Sequence, residues 1–254
     1  MSLNKPIRDW RGKRVWIIGA SNGVGAALAR ALAARGATLA LSARNPERLA
    51  AVSAGIPGSL ALPLDVTKAH TLMPALMQLL DQWSGLDMVI LNAGNYEPMS
   101  AADLSVESAR ATVETHLMGV INMVAVVLPQ LLQQGEGALT LIGDAAGYRG
   151  RPRALAYGAS KAAVINLAEA LYLDLSPRGI GVFLVNPGLP SAPAASRRAV
   201  SPEASGAADA ANDILQGMMR GRFEIHFPRR STYLLKLLRV TPEWLYLRVA
   251  RALN

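Results

Sequence analysis

Arg14-Val15-Trp16-Ile17-Ile18-Gly19-Ala20-Ser21-Asn22-Gly23-Val24-Gly25 decides how this chain folds. The first five residues are a short apolar run, which reads as a buried strand. From Ala26 the chain turns alanine-rich and closes on Gly36, which reads as a helix with its stop signal. Gly19, Gly23 and Gly25 therefore lie between a strand and a helix. Glycines there permit a tight turn and let backbone approach a pyrophosphate, which rests on the helix N-terminus. The spacing is Gly-x-x-x-Gly-x-Gly, not the standard dinucleotide fingerprint. A glycine turn that holds no ligand is the competing reading.

The same alternation continues outward. Strands are expected at Thr38–Ser42, Ser59–Leu64, Leu86–Leu91, Ala138–Ile142, Gly181–Val185 and Phe223–Phe227, seven with the first. Helices are expected from Glu47, over 68–83, 103–112 and 114–133, through Tyr157 to about Ser176, and near 202–219. Alternating strand and helix implies right-handed crossovers and a parallel sheet covered on both faces. The fold class is α/β, and residues 1–254 read as one domain. The helix at 114–133 is apolar on nearly every side, as in a deep core or a subunit contact. Residues 189–211 are rich in Ala, Ser and Pro. Ligands of open α/β sheets sit beyond the carboxyl ends of the strands, so the region at about 189–220 reads as a mobile substrate lid.

The second strand is followed by Ala43 and Arg44. An acidic residue at that strand end would bind the adenosine ribose hydroxyls and select NAD. A guanidinium suits a 2′-phosphate instead. NADP(H) is the expected preference, with NAD(H) as the second choice and a solvated loop arginine as the bland alternative.

Composition narrows the classes. The 254 residues are 51% hydrophobic and 17% charged, as in a packed globular protein. Cysteine is absent, which excludes disulfides, thiolate metal sites and cysteine nucleophiles. His70, His116 and His226 are far apart, so no metal site is expected. The net charge of +8 favours phosphorylated ligands, anionic membranes or nucleic acid. No basic stripe is interleaved with aromatics, so nucleic acid is not expected. Met1 to Lys13 lacks the apolar segment of a secretory signal. The longest apolar run, Leu117 to Leu128, stops at Pro129, short of a bilayer span. A soluble, cytoplasmic protein is expected.

Tyr157-Gly158-Ala159-Ser160-Lys161 carries the chemistry. On a helix, Tyr157 and Lys161 share one face, one turn apart. A phenol beside a fixed ammonium finds its anion stabilised, so its pKa falls. Such a tyrosine hands a proton to a carbonyl oxygen or takes one from an alcohol. Alone, the pair is also an ordinary helix start.

Together these pieces resemble the classical short-chain dehydrogenase/reductase (SDR) family. The resemblance runs from about Arg14 to Pro187 and more loosely to Phe227. It rests on the Gly19/Gly23/Gly25 turn, Asp65 after the third strand, Asn92-Ala93-Gly94, Tyr157/Lys161 and Asn186-Pro187-Gly188. It implies a Rossmann-type doubly wound sheet, a nicotinamide nucleotide, and hydride exchange between a carbonyl and an alcohol. It places Ser21, Asn22, Val24, Asp65, Val66, Asn92, Ala93, Gly94, Pro187 and Gly188 about the cofactor. Lys161 would also hold the nicotinamide ribose. Homodimers or homotetramers through the helices at 114–133 and 155–176 are implied as well.

Two departures stand out. The family serine thirteen residues before the tyrosine is Asp144 here, and the family asparagine of Asn-x-x-Gly is His116. An ionised carboxylate cannot donate to a growing oxyanion and repels it. Three outcomes are open. Asp144 is neutral and donates as serine would. Or it is tied up by His116, Arg149, Arg151 or Arg153, leaving Tyr157 to act alone. Or the site no longer turns over. His116 is a candidate relay or a packed histidine. The family threonine after Pro-Gly is missing, with Ser191 as a neighbouring hydroxyl. The expected function is an NADP(H)-dependent oxidoreductase with Tyr157, Lys161, Asp144 and His116 at its centre. The rival is a dinucleotide-binding protein with little turnover, a sensor or scaffold.

The tail at about 229–254 is basic and apolar together. Thr241 reads as the cap of a helix begun by Pro242. Packing on the body or at a subunit contact is the favoured reading of the tail. Peripheral contact with an anionic membrane is the lesser one.

Overall fold

The structure is a computed structural model describing residues 2–94, 96–188 and 202–252. The opening stretch forms β1 (Arg14–Ile18) and α1 (Gly23–Ala33). Val15 and Ile17 join one apolar layer and Trp16 and Ile18 the other, the alternation of a strand buried on both faces. Then come β2 (Thr38–Ser42), α2 (Pro46–Ala54), β3 (Leu60–Ala61), α3 (Leu72–Gln82) and β4 (Met88–Leu91). α4 (Val106–Val113) passes through a wider π-type turn, Glu114–Met118, into α5 (Gly119–Gln134). β5 (Gly137–Ile142), α6 (Leu155–Leu175), β6 (Ile180–Pro187) and α7 (Pro202–Met219) follow. β7 (Glu224–Phe227), α8 (Arg229–Val240) and α9 (Glu243–Ala252) complete the order.

The seven strands run parallel in the order β3-β2-β1-β4-β5-β6-β7. This is the expected Rossmann-type sheet. α1, α2 and α7 cover one face through Leu28, Leu49 and Ile214, and α3, α5 and α6 cover the other through Leu76, Val124 and Val164. Winding reverses between β1 and β4, so their carboxyl ends part and open a crevice.

Four local differences have physical causes. β3 is shorter than Ser59–Leu64 because it is an edge strand with one neighbour, and Pro63 is tolerated there since an N–H at that position would face away from β2. Leu62 and Leu64 still donate to the Leu41 and Ala43 carbonyls, so the segment follows β2 without a full ladder. β6 is longer than expected because β7 pairs with Leu184 to Pro187. The two helices expected at 103–112 and 114–133 form one run, Val106–Gln134, long and apolar enough to cross a membrane. In this fold its Val120, Met123, Val127 and Leu131 are buried against the sheet layer. Finally, α7 is a structural layer, with Ala211, Ile214 and Met218 buried, so the proposed lid region does not extend along it. Residues 189–201, with Ser191, lie outside the described residues.

Thr241 also differs from expectation. Its hydroxyl donates to the Leu238 carbonyl at 2.8 Å, closing α8. The carbonyl of Pro242 takes the first N–H groups of α9, from Leu245 and Tyr246.

Candidate active site

The glycine turn is pinned at the sheet edge. Gly19 and Ala20 donate backbone N–H to the Ser42 carbonyl at 2.7 and 3.0 Å. Gly19 has φ +84°, which only glycine adopts readily, and a Cβ there would strike the Asn92–Ala93 backbone. A Cβ on Gly25 would strike the Gly19 carbonyl. Gly25 thus serves the close approach of helix to loop. Asn92 fixes the same turn, its Nδ2 donating to the Gly19 carbonyl at 3.0 Å.

A cleft of about 320 Å³ opens over this turn. Gly19, Ser21, Asn22, Gly23, Val24, Arg44, Val66, Asn92, Ala93 and Gly94 line it. Arg48, Asn45 and Thr115 line it too, and sequence reasoning missed them. Arg48 was findable. It lies four residues past Arg44, on the first turn of α2, which Asn45 caps by accepting the Arg48 N–H at 2.7 Å. The start of α1 has no side-chain cap from Asn22 and no acid in its first turn. Its free N–H groups and dipole therefore suit an anion. The residues present fit a dinucleotide, with the pyrophosphate on the turn and two guanidiniums at the far end.

Not every predicted residue lines the cleft. Asp65 is turned to its neighbour, accepting from the N–H and hydroxyl of Thr67 at 3.0 and 2.8 Å. Leu64 and Val66 border the cleft on either side of it. Pro187 and Gly188 lie at the end of β6, where the Gly188 N–H donates to the Phe227 carbonyl at 2.6 Å.

Tyr157 and Lys161 stand one turn apart on α6, and both are buried. The Tyr157 hydroxyl donates to Asp144 Oδ2 at 2.9 Å, and Asp144 Oδ1 accepts the Ala146 N–H at 2.6 Å. Lys161 Nζ donates to the Ile142 carbonyl at 2.8 Å and lies 5.7 Å from the centre of the phenol ring. The phenol pKa is pushed up, by burial first and then by the Asp144 carboxylate. That is opposite to the fall expected from Lys161 alone. Burial lowers the Lys161 ammonium to about 8, with Asp144 pulling the other way.

His116 and Tyr96 complete the surround. The π-type turn carries His116 inward, where it is buried with its ring edge-on to Tyr157 at 5.1 Å. It packs on the backbone of Gly94, which leaves no room for a Cβ there. One imidazole therefore separates Tyr157 from the cleft wall at Gly94. Tyr96, also missed from sequence, sets its ring at 4.9 Å from Tyr157 and donates its hydroxyl to the Arg153 carbonyl at 3.1 Å. Arg149 does not turn to Asp144. It donates to the Leu238 and Thr241 carbonyls, at 3.1 and 2.5 Å.

The profile of the short chain dehydrogenase family matches residues 13–201. An uncharacterized oxidoreductase of Myxococcus xanthus is 32% identical over 244 residues, covering 94% of this chain and 96% of that protein. The crystal structure of a short-chain dehydrogenase from Streptomyces avermitilis superposes with a TM-score of 0.79 at 25% identity, covering 95% of both chains. That of 3-ketoacyl-(acyl-carrier-protein) reductase from Brucella melitensis, complexed with NADH, gives 0.68 at 26% identity over 71% of this chain and 76% of that one. With the sheet order, the glycine turn and the Tyr157/Lys161 helix in agreement, the chain belongs to the short-chain dehydrogenase/reductase family of oxidoreductases.

Proposed function

We propose that this protein is an NADP(H)-dependent oxidoreductase acting on a carbonyl or secondary-alcohol substrate, with Tyr157 carrying the proton. The observation behind this reading is the buried Tyr157/Lys161 pair, one histidine ring from a glycine-lined cleft. When bound, the nicotinamide supplies or accepts the hydride. The first turn of α1 would hold the pyrophosphate, and Arg44 and Arg48 the 2′-phosphate. Asn92 keeps the glycine turn in place. Burial and Asp144 keep the phenol protonated, the form that donates to a carbonyl oxygen. Lys161 lies close enough to stabilise the phenolate left behind.

Asp144 tempers this chemistry. It occupies the Tyr157 hydroxyl and opposes negative charge at the substrate oxygen. The same bond favours a second reading, a dinucleotide-binding sensor or scaffold with little turnover. Following NADPH absorbance across a carbonyl panel separates the two. Consumption by wild type that is lost in Tyr157→Phe supports the enzyme. Clear NADPH binding with no consumption supports the sensor.

We also infer a homodimer or homotetramer. Ile121 and Leu132 on α5 and Leu173 on α6 are exposed apolar side chains on the helices through which family members associate. Sedimentation at several concentrations tests this.

A further inference from the structure

A bracket at the junction of α8 and α9 holds both helices to the body. The Arg149 guanidinium donates to the carbonyls that end α8 and lies over the Tyr246 ring at 4.7 Å. Tyr246 donates its hydroxyl to the Gly150 carbonyl. Buried Thr232 anchors the other end of α8, its hydroxyl 2.7 Å from His226 Nδ1. This seating leaves a broad apolar surface open. Eight of the exposed large apolar side chains among the described residues fall between Tyr233 and Val249. Tyr233, Leu237 and Val240 share one face of α8, at 56%, 61% and 77% exposure. Trp244 and Leu247 continue the display on α9.

The surface is also basic. From Arg229 to Arg251 the sequence has six Lys and Arg residues against Glu243 alone; of these Lys236 pairs with Glu224 and Arg239 lies 3.9 Å from Glu169. Leu247 lines a hollow of about 460 Å³ together with Arg149, Arg151 and Arg251 and one acid, Glu243. Arg149 is held in place by its carbonyl bonds, so the hollow is preorganised for an oxyanion. Apolar side chains beside one fixed guanidinium and two further arginines match acyl chains beside phosphates. Against a second copy the match is poor, because an isologous contact sets the basic patch on itself.

We propose that α8 and α9 dock this protein on an anionic phospholipid surface. Trp244, Leu247 and the apolar face of α8 enter the acyl boundary, and the arginine hollow takes lipid phosphates. Docking sets the loop between Asp144 and Tyr157 against the membrane, since Arg149 and Arg151 belong to that loop. The proposal is independent of the catalytic reading and stands whether or not the site turns over.

The tryptophans provide the test. Trp10, Trp16 and Trp83 are buried, whereas Trp244 is 67% exposed. Vesicles of phosphatidylcholine with phosphatidylserine should shift the emission to the blue and carry the protein in flotation. Pure phosphatidylcholine should do neither. The double variant Leu237→Ser/Leu247→Ser keeps the charge and the reporter, and should weaken partitioning about tenfold or more. Arg248→Glu/Arg251→Glu should abolish binding at moderate salt, with thermal melts confirming that each variant is folded. Single serine variants replace any double variant that is not. Three results overturn the idea: no shift with anionic vesicles at low salt, binding that ignores the serine variants, or serine variants that instead dissociate an oligomer lacking vesicle affinity.

Discussion

Tyr157 and Asp144, thirteen positions apart in sequence, are joined by a 2.9 Å hydrogen bond from the first turn of α6 to the segment that follows β5. By the family resemblance, the carboxylate takes the place expected of a hydroxyl. A hydroxyl donates to the substrate oxygen and leaves the phenol free. A carboxylate takes the phenol's proton bond and faces the growing oxyanion with like charge. Asp144→Ser should therefore raise turnover of a carbonyl substrate, by about tenfold or more. Steady-state rates of both proteins at one pH decide. A fall would show that Asp144 itself supplies a proton.

Arg44 and Arg48 should discriminate between cofactors. Each guanidinium offers paired donors to a phosphate dianion and little to a bare ribose. Arg44→Ala and Arg48→Ala should each weaken NADPH binding by roughly tenfold or more, because charged hydrogen bonds are lost. NADH affinity should stay within about twofold. Calorimetric titration of both nucleotides measures the contrast.

Lys161 makes apo-protein stability depend on alkaline pH. Its folded value of about 8 lies below its ordinary 10.5. Between these values the unfolded chain binds more protons, so stability rises with pH. The gain from pH 8 to about 9.5 should be on the order of 1–2 kcal/mol. Above that range Tyr157 acts oppositely, because its raised pKa makes stability fall once the unfolded phenol ionises. Urea midpoints across this range should climb in wild type and stay flat in Lys161→Met.

Glu224 should set the acid side. Burial opposes its charge, but Lys236 at 2.5 Å and bonds from Tyr148 and Asn186 outweigh burial and hold its pKa down. The stability it contributes is present above the ordinary carboxylate value and is lost as pH falls through the lowered one. Glu224→Gln should cost about 2 kcal/mol at neutral pH and flatten the acid loss. Chemical denaturation from neutral pH down to about 3 reads both effects.

Sequence periodicity was sufficient for the sheet, because β1 and its neighbours are buried on both faces and read as unbroken apolar runs. The Tyr157/Lys161 pair was legible for a similar local reason, a spacing of four on one helix. Long-range contacts were not legible. Nothing near Glu224 announces that Tyr148, Asn186 and Lys236 converge on it, since those partners are 76, 38 and 12 residues away. The wide turn that carries His116 inward has no sequence signature in an apolar helix. The phenol's raised pKa was legible in part, since an ionised Asp144 opposes Lys161, but its larger cause, burial, was not.

The most direct measurement is a calorimetric titration of wild type and Gly19→Val with NADPH. The added isopropyl group has no room against the Asn92–Ala93 backbone and so would displace the glycine turn on which a pyrophosphate must lie. Saturable one-site heat in wild type, lost in a variant that still melts cooperatively, is the predicted result. No saturable heat in wild type, or equal binding by both proteins, would contradict cofactor docking on the glycine turn and with it the proton role of Tyr157.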